Sequence, residues 1–271
     1  MFYNGDMLPY PRIDPEIFRV GPLAVRWYGL MYLLGFLAAY FLTRYQLRER
    51  GLKKLYPVLE NVLFWGGVGL IVGARLGHVF LYYPGYYLKN PLEIFAVWHG
   101  GMSFHGGLIG AVVAGWLYAR RHRLSFFWWA DLLVVTVPIG LGLGRLGNFI
   151  NGELFGRPTD VPWAMIFPAG GPVPRHPSQL YEALGEGLVL FLVLWSVRRK
   201  PWASGTKLAL FMVLYGLIRF FIEFFREPDL GVPLLFGWMT RGQVFCVLMV
   251  VFGGLLFWIR RGRKEGPYLL G

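Results

Sequence analysis

Residues 132–157 read Leu-Leu-Val-Val-Thr-Val-Pro-Ile-Gly-Leu-Gly-Leu-Gly-Arg-Leu-Gly-Asn-Phe-Ile-Asn-Gly-Glu-Leu-Phe-Gly-Arg. An apolar, Gly-rich run ends here in a polar cluster of Arg145, Asn148, Asn151 and Glu153, followed by Gly156. About 20 apolar residues suffice for a helix to cross a bilayer, so 130–149 is read as a membrane span. Its arginine is the informative residue. Insertion scales put a guanidinium at a helix centre at a cost of about 2.5–3.5 kcal/mol. Such a charge meets either an anion or a buried ion pair, and spacing alone leaves both open. In the first case Arg145 holds a phosphate with its planar fork. In the second it pairs with Glu153, Glu182 or Glu223 and locks the bundle.

Working outward, the same apolar character recurs. Of 271 residues, 56% are hydrophobic, above the 45–50% usual for soluble domains. Seven spans are expected, over 26–44, 61–82, 103–119, 130–149, 179–197, 207–226 and 241–259. They do not alternate apolar and polar residues as barrel strands do. The fold class is therefore an all-α polytopic membrane protein, a single integral-membrane domain over 1–271. It has an external arm over 1–25 and an external loop over 151–178. Asp6, Asp14 and Glu16 lie near the start without an apolar h-region, so the first span is expected to direct insertion.

The net charge of +12 would suggest nucleic acid in a soluble chain. Here the basic residues cluster between spans, where topology and anionic headgroups account for them; no nucleic-acid partner is expected. Loops after odd-numbered spans hold 16 Lys and Arg, in the groups 44–54, 120–123, 198–207 and 260–264. The other side holds 8, among them Arg12, Arg19, Arg26 and Arg175. The positive-inside rule then puts the N-terminus outside and the C-terminus in the cytoplasm. In that orientation Arg75, His78, His105, Arg145, Asn148, His176, Tyr181, Glu182, Arg219, Glu223 and Arg226 all lie towards the outer face. The inner halves hold little charge beyond Glu60, Asp131 and the deeper Glu186. A carrier for an anionic lipid would need polar groups through both halves. A one-sided cluster suits a site at the membrane surface.

Individual residues carry two readings each. Arg145 and Asn148 share a helix face, and Gly140, Gly142, Gly144 and Gly147 allow a helix or a ligand to come close. Arg219, Glu223 and Arg226 are spaced i, i+4 and i+7; Glu223 neutralises Arg219, or leaves an arginine for an anion. Arg226, with Glu227 and Asp229 behind it, reads as an interfacial anchor. His105 sits between Gly100-Gly101 and Gly106-Gly107, either as a base beside a substrate or as a satisfied buried histidine. Ser178, after His176-Pro177, reads as a helix N-cap. Cys246 is the single cysteine, so no intrachain disulfide or multi-thiolate metal site forms. No metal and no cofactor is expected.

The motifs also carry a resemblance. Trp-Tyr-Gly-Leu-Met-Tyr (27–32), Gly-Gly-Met-Ser-Phe-His-Gly-Gly (100–107), the 144–157 run, Arg-His-Pro-Ser-Gln-Leu-Tyr-Glu (175–182) and Arg-Phe-Phe-Ile-Glu-Phe-Phe-Arg (219–226) occur in order. They resemble the prolipoprotein diacylglyceryl transferases of the bacterial inner membrane. The resemblance implies a reaction. The diacylglyceryl group of phosphatidylglycerol moves to the lipobox cysteine of a preprolipoprotein signal peptide, a thioether forms and glycerol phosphate leaves. It also implies roles for Tyr28, His105, Arg145, Asn148, Gly156, Arg219 and Glu223. On that basis Arg145 and Arg219 are expected to meet the phosphate, with Asn148 and Tyr28 as orienting donors. His105 is the expected base or relay, and Glu223 holds Arg219 or serves as an alternative base. Asn151 and Glu153 are counted with the substrate-binding residues. Two features depart from the family pattern. The segment between Phe167 and Arg175 is short, and span seven opens with Thr240-Arg241-Gly242-Gln243 where Met-Gly-Gln is expected.

Overall fold

The computed structural model describes residues 8–11, 13–21, 23–96, 100–228 and 234–269. Asp6, Arg12 and Asp229, used in the sequence reading, lie outside these residues. Each of the seven apolar segments carries helix, and a short hairpin precedes them. Strands β1 (Glu16–Val20) and β2 (Leu23–Arg26) pair antiparallel, then run directly into α1 (Trp27–Glu49). Next come α2 (Tyr56–Leu81), α3 (Pro84–Lys89), α4 (Phe104–Arg121), α5 (Phe126–Val134) and α6 (Val137–Ile150). The rest comprises α7 (Ser178–Glu182), a π-helical run over Ala183–Val189, α8 (Leu190–Ser196), α9 (Thr206–Ile222) and α10 (Arg241–Arg260). Among the described residues, Lys53–Leu81 and Arg241–Arg260 are long and apolar enough to cross a membrane. Phe126–Val134 with Val137–Ile150 makes a third if the bent pair is one span.

Two of the expected spans are not uniform helices. The one over 130–149 bends by 46° between α5 and α6. Pro138 lies in the first turn of α6; it has no N–H to offer the preceding turn, so the ladder breaks ahead of it. Thr136 occupies the break, its hydroxyl donating to the Leu133 carbonyl at 2.7 Å. The segment over 179–197 passes through the π run. A π turn inside an α-helix is rare and is frequently found at functional sites.

The chain divides into two compact units, residues 1–42 with 130–264, and residues 43–129 with 265–271. In the second, α2 and α4 cross on glycine. Gly69, Gly73 and Gly77 recur every fourth residue and face Gly106 and Gly110. A Cβ on Gly73 would stand 2.4 Å from the Gly106 carbonyl oxygen. Small residues at this spacing let backbones touch where no aqueous hydrophobic effect drives helices together. Arg75, buried on α2, donates to the carbonyls of Ile94 at 2.8 Å and Gly100 at 2.5 Å, and also to Glu93. The C-terminal residues return to the α4–α5 turn, where Ser125 N–H donates to Pro267 and Leu269 N–H to Arg123.

In the first unit, Val135, Leu190 and Leu194 form a buried core against Phe211, Leu214 and Ile218. Asp131 caps α9: its carboxylate accepts from the Gly205 and Leu208 N–H groups at 2.9 and 2.8 Å. α9 and α10 pack as an antiparallel pair through Gly216, where a Cβ would meet Val250 Cγ2 at 2.8 Å.

The glycine crossing makes a direct prediction. Gly73→Ala is expected to lower the thermal unfolding midpoint in detergent, at a cost of about 1–3 kcal/mol. Gly66→Ala, with open space beside it, leaves the midpoint unchanged.

Candidate active site at a buried ion cluster

The site is built where α6, the α7–π segment and α9 meet. Gly142 on α6 lies against Gly187 of the π run; a Cβ on Gly187 would stand 2.7 Å from Gly142 Cα. This close approach sets Arg145, one turn further along α6, beside the carboxylates of Glu182 and Glu186. Both glutamates are fully buried. Arg145 Nε lies 2.8 Å from Glu182 Oε2 and 3.8 Å from Glu186 Oε2. The first contact is an ion pair without an aligned hydrogen bond.

Arg219 enters the same carboxylates from α9. Its Nη1 donates to Glu182 Oε1 and lies 3.4 Å from Glu186 Oε1. Its Nη2 lies 2.6 Å from Glu223 Oε2, one turn on. Glu223 is held in turn from α10. The Thr240 hydroxyl donates to Glu223 Oε1 at 2.9 Å while accepting the Gln243 N–H at 3.1 Å. Gln243 completes a capping box by accepting from Thr240 N–H, which satisfies two backbone donors that a helix start leaves open. A Cβ on Gly242 would meet Glu223 Oε1 at 2.7 Å. The Thr-Arg-Gly-Gln start of α10 is therefore built around Glu223.

The two arginines are not equivalent. Arg219 is 8% exposed and ringed by three carboxylates. The Arg145 side chain is 21% exposed, and it approaches both carboxylates through Nε. Among the described residues its two terminal nitrogens make no hydrogen bond. Three carboxylates against two guanidiniums leave the cluster short of positive charge, and Arg226 adds a third cation 4.0 Å from Glu223.

Beside Arg145, the loop after α6 folds back on itself. Asn148, buried, and Asn151 both donate to Glu153 Oε1, at 2.8 and 3.1 Å. Gly147 packs on the Tyr28 ring, with room for no side chain, and the Tyr28 hydroxyl is 3.3 Å from that of Tyr32. Gly156 is pinned between two chains: its N–H donates to His176 at 2.8 Å, and a Cβ would stand 2.4 Å from the Phe225 carbonyl oxygen. Arg175 donates to the Gly156 carbonyl at 3.2 Å and pairs with Glu227 at 2.9 Å. His176 Nδ1 lies 3.0 Å from the Tyr181 hydroxyl, which accepts from Trp163 Nε1 at 2.6 Å. Burial pushes the His176 imidazole below its ordinary pKa, so it stays neutral at pH 7.

The comparisons with known proteins bear on this arrangement. The family model described as prolipoprotein diacylglyceryl transferase matches residues 15–259. The chain belongs to this family. A phosphatidylglycerol–prolipoprotein diacylglyceryl transferase of Geobacter sulfurreducens is 52% identical over 96% of this chain and all of the relative. Relatives of the same name are 52% identical in Bordetella avium, over 96% of this chain and 98% of the relative, and 50% identical in Pseudomonas aeruginosa, over 96% and 99%.

Set beside the sequence reading, the first unit of this transferase-family chain gathers Arg145, Arg219 and Glu223 in one cluster, with Asn148, Asn151 and Glu153 on the adjoining loop. Tyr28 reaches α6 through Gly147. Arg145 takes Glu182 as its partner, one of the three carboxylates the spacing allowed. His105 belongs to the second unit, exposed at the start of α4, with its ring edge on Phe104. Of the four glycines beside it, Gly101, Gly106 and Gly107 pack closely, while Gly100 has open space. Gly106 and Gly107 are buried against α2, and Gly100 and Gly101 take positive φ of 82° and 78°. Ser178 is not an N-cap: Pro177 holds that position, and the Ser178 hydroxyl donates to the Leu154 carbonyl at 3.1 Å. A proline there leaves the serine inside the first turn. Glu182 and Glu186 were the residues whose part the spacing understated. Their signal was two carboxylates at i and i+4 in an apolar segment, which repel unless a cation lies between them.

Removing the shared carboxylate takes from both arginines their nearest buried partner. Glu182→Ala is expected to destabilise by about 3–5 kcal/mol, read as a lowered unfolding midpoint in detergent. Glu16→Ala, which removes an exposed pair with Arg19, leaves the midpoint in place.

Proposed function

We propose that this chain transfers the diacylglyceryl group of phosphatidylglycerol to the lipobox cysteine thiol of a preprolipoprotein, forming a thioether and releasing glycerol phosphate. The observation that carries the site assignment is the asymmetry of the two arginines. Arg219 is saturated by carboxylates, whereas Arg145 keeps its terminal nitrogens for an outside acceptor. A planar guanidinium with two adjacent donors matches a phosphate. In this reading Arg145 binds the phosphate of the lipid and of the leaving group, and Arg219 holds the glutamates that orient Arg145. Asn148, Asn151 and Glu153 shape the adjoining loop, Tyr28 adds a hydroxyl donor, and Gly156 fixes the loop that faces the lipid headgroup.

The step is a displacement at an sp3 carbon. The sulfur attacks the terminal glycerol methylene, the carbon–oxygen bond to phosphate breaks, and the electron pair leaves on the phosphate oxygen. Fixed cations in a dry site stabilise that growing charge without reorganising. The attacking thiol, with a reference pKa of about 8.5, must first lose its proton. His105 takes that proton in this proposal. Glu223, held on Arg219 and Thr240, serves as a positioning residue.

The setting belongs to the same proposal: seven spans in the bacterial inner membrane, the N-terminus outside, the C-terminus cytoplasmic, and the site towards the outer leaflet. The excess of Lys and Arg in loops after odd-numbered spans supports it. The lipid then enters laterally from the bilayer.

Transfer from labelled phosphatidylglycerol to a lipobox peptide in detergent tests the assignment. Arg145→Ala is expected to cut turnover at least about 10²-fold and also to lower the unfolding midpoint, because it takes a cation from the buried Glu182. Arg219→Ala lowers both. Near-wild-type turnover in Arg145→Ala sinks the phosphate role.

His105 has its own test. His105→Gln should slow the reaction most at low pH and recover between about pH 6 and 9, as the thiol ionises unaided. A variant that keeps the wild-type rate throughout that range shows that His105 is not the base.

A further inference from the structure

At the other end of the α9–α10 pair lies an apolar groove with a cavity volume of about 590 Å³. Its lining includes Trp202, Thr206, Gly253, Gly254, Phe257 and Arg261. Thr206 and Arg219 are separated by thirteen residues on one helix, about 20 Å at 1.5 Å per residue. The groove is thus distinct from the ion cluster.

Its shape follows from two adjacent glycines. Gly253 packs into α9: a Cβ there would meet Val213 Cγ2 at 2.9 Å and the Ala209 carbonyl oxygen at 3.0 Å. Gly254 has open space beside it. The contact closes the floor, and the missing side chain leaves the trough above it. Trp202 and Phe257, both exposed, stand at its sides. Polar character enters through Thr206 and Arg261, and the Arg261 guanidinium lies over the Trp258 ring at 5.5 Å.

Charge at this end selects the occupant. Arg199, Lys200, Arg261, Arg263 and Lys264 are exposed. Arg260 and Lys207 are buried, and both donate to main-chain carbonyls, of Ser204 and Lys200. The carboxylate of Asp131 is committed to the α9 N-terminus. An apolar trough opening beside a cluster of cations fits a molecule with an apolar tail and an anionic head. We propose that the groove holds one acyl chain of an anionic phospholipid, with its phosphate at Arg261. A zwitterionic lipid would supply the same chain but set a cation among these cations. The inference is independent of the reaction assigned to the ion cluster.

The test uses the whole protein in phosphatidylcholine vesicles containing a minority of phosphatidylserine with brominated acyl chains, an anionic lipid that is not the transfer donor. The fluorescence of Trp202 is taken as the difference between the wild type and Trp202→Phe. Brominated phosphatidylserine is expected to quench this component several-fold more than brominated phosphatidylcholine at equal mole fraction. Arg261→Gln removes that headgroup preference while quenching by phosphatidylcholine persists. Gly254→Leu, which fills the trough, lowers quenching by both lipids. Neither substitution changes diacylglyceryl transfer. Equal quenching by the two lipids in the wild type, or a preference that survives Arg261→Gln, overturns the proposal. Since Arg261 is exposed at a helix end, that variant reports even if Gly254→Leu fails to fold.

Discussion

Two fully buried carboxylates, Glu182 and Glu186, lie between the guanidiniums of Arg145 and Arg219, and much of the first unit is arranged to hold them there. Buried carboxylates repel each other and lose their hydration, so their position is tolerable only with cations on both sides. That requirement reaches well beyond the four side chains. α6 must approach the π run closely, which glycine at 142 and 187 permits. α9 must present Arg219, and Glu223 must balance it from one turn away. α10 must begin beside Glu223, which explains both the Thr240 cap and the absent side chain at Gly242. A single electrostatic constraint thereby sets the meeting of four chain segments.

The same constraint divides the work of the arginines. A guanidinium surrounded by three carboxylates holds them in place. One whose terminal nitrogens make no hydrogen bond among the described residues keeps donors for a ligand. The asymmetry also suits the phosphate leaving group of the proposed reaction. In the proposed reaction the cation facing the departing oxygen is Arg145, already oriented by Glu182, so the growing charge meets a preset dipole rather than a mobile side chain. The loop with Gly156 follows the same logic with backbone atoms. It is hydrogen-bonded to His176 and braced by Arg175, so its position does not depend on a flexible side chain.

Glycine does a second kind of work in both units. α2 with α4, α6 with the π run and α9 with α10 each meet where glycine carbons allow backbone contact. Apolar side chains gain nothing by leaving lipid for one another, so close van der Waals packing has to supply the association. Glycines that read as space for a substrate, notably those flanking His105, turn out to be helix contacts and turns. Periodicity cannot separate these uses, because both demand the absence of a side chain.

Much was legible from local pattern. Long apolar segments predict helices because backbone groups in lipid must be satisfied within the segment, and each of these segments carries helix, two of them, or three with the bent pair, long and apolar enough to cross a membrane. The ordered motifs were sufficient for the family, and the cost of an intramembrane guanidinium was sufficient to single out Arg145. What local pattern could not settle was pairing. Glu153, Glu182 and Glu223 were equally available to Arg145 by charge, and only the Gly142–Gly187 contact chose Glu182. The bend before α6, the π run and the cap on Glu223 belong to the same class. Each depends on which helix lies alongside, and that is a property of three-dimensional packing rather than of any window of sequence.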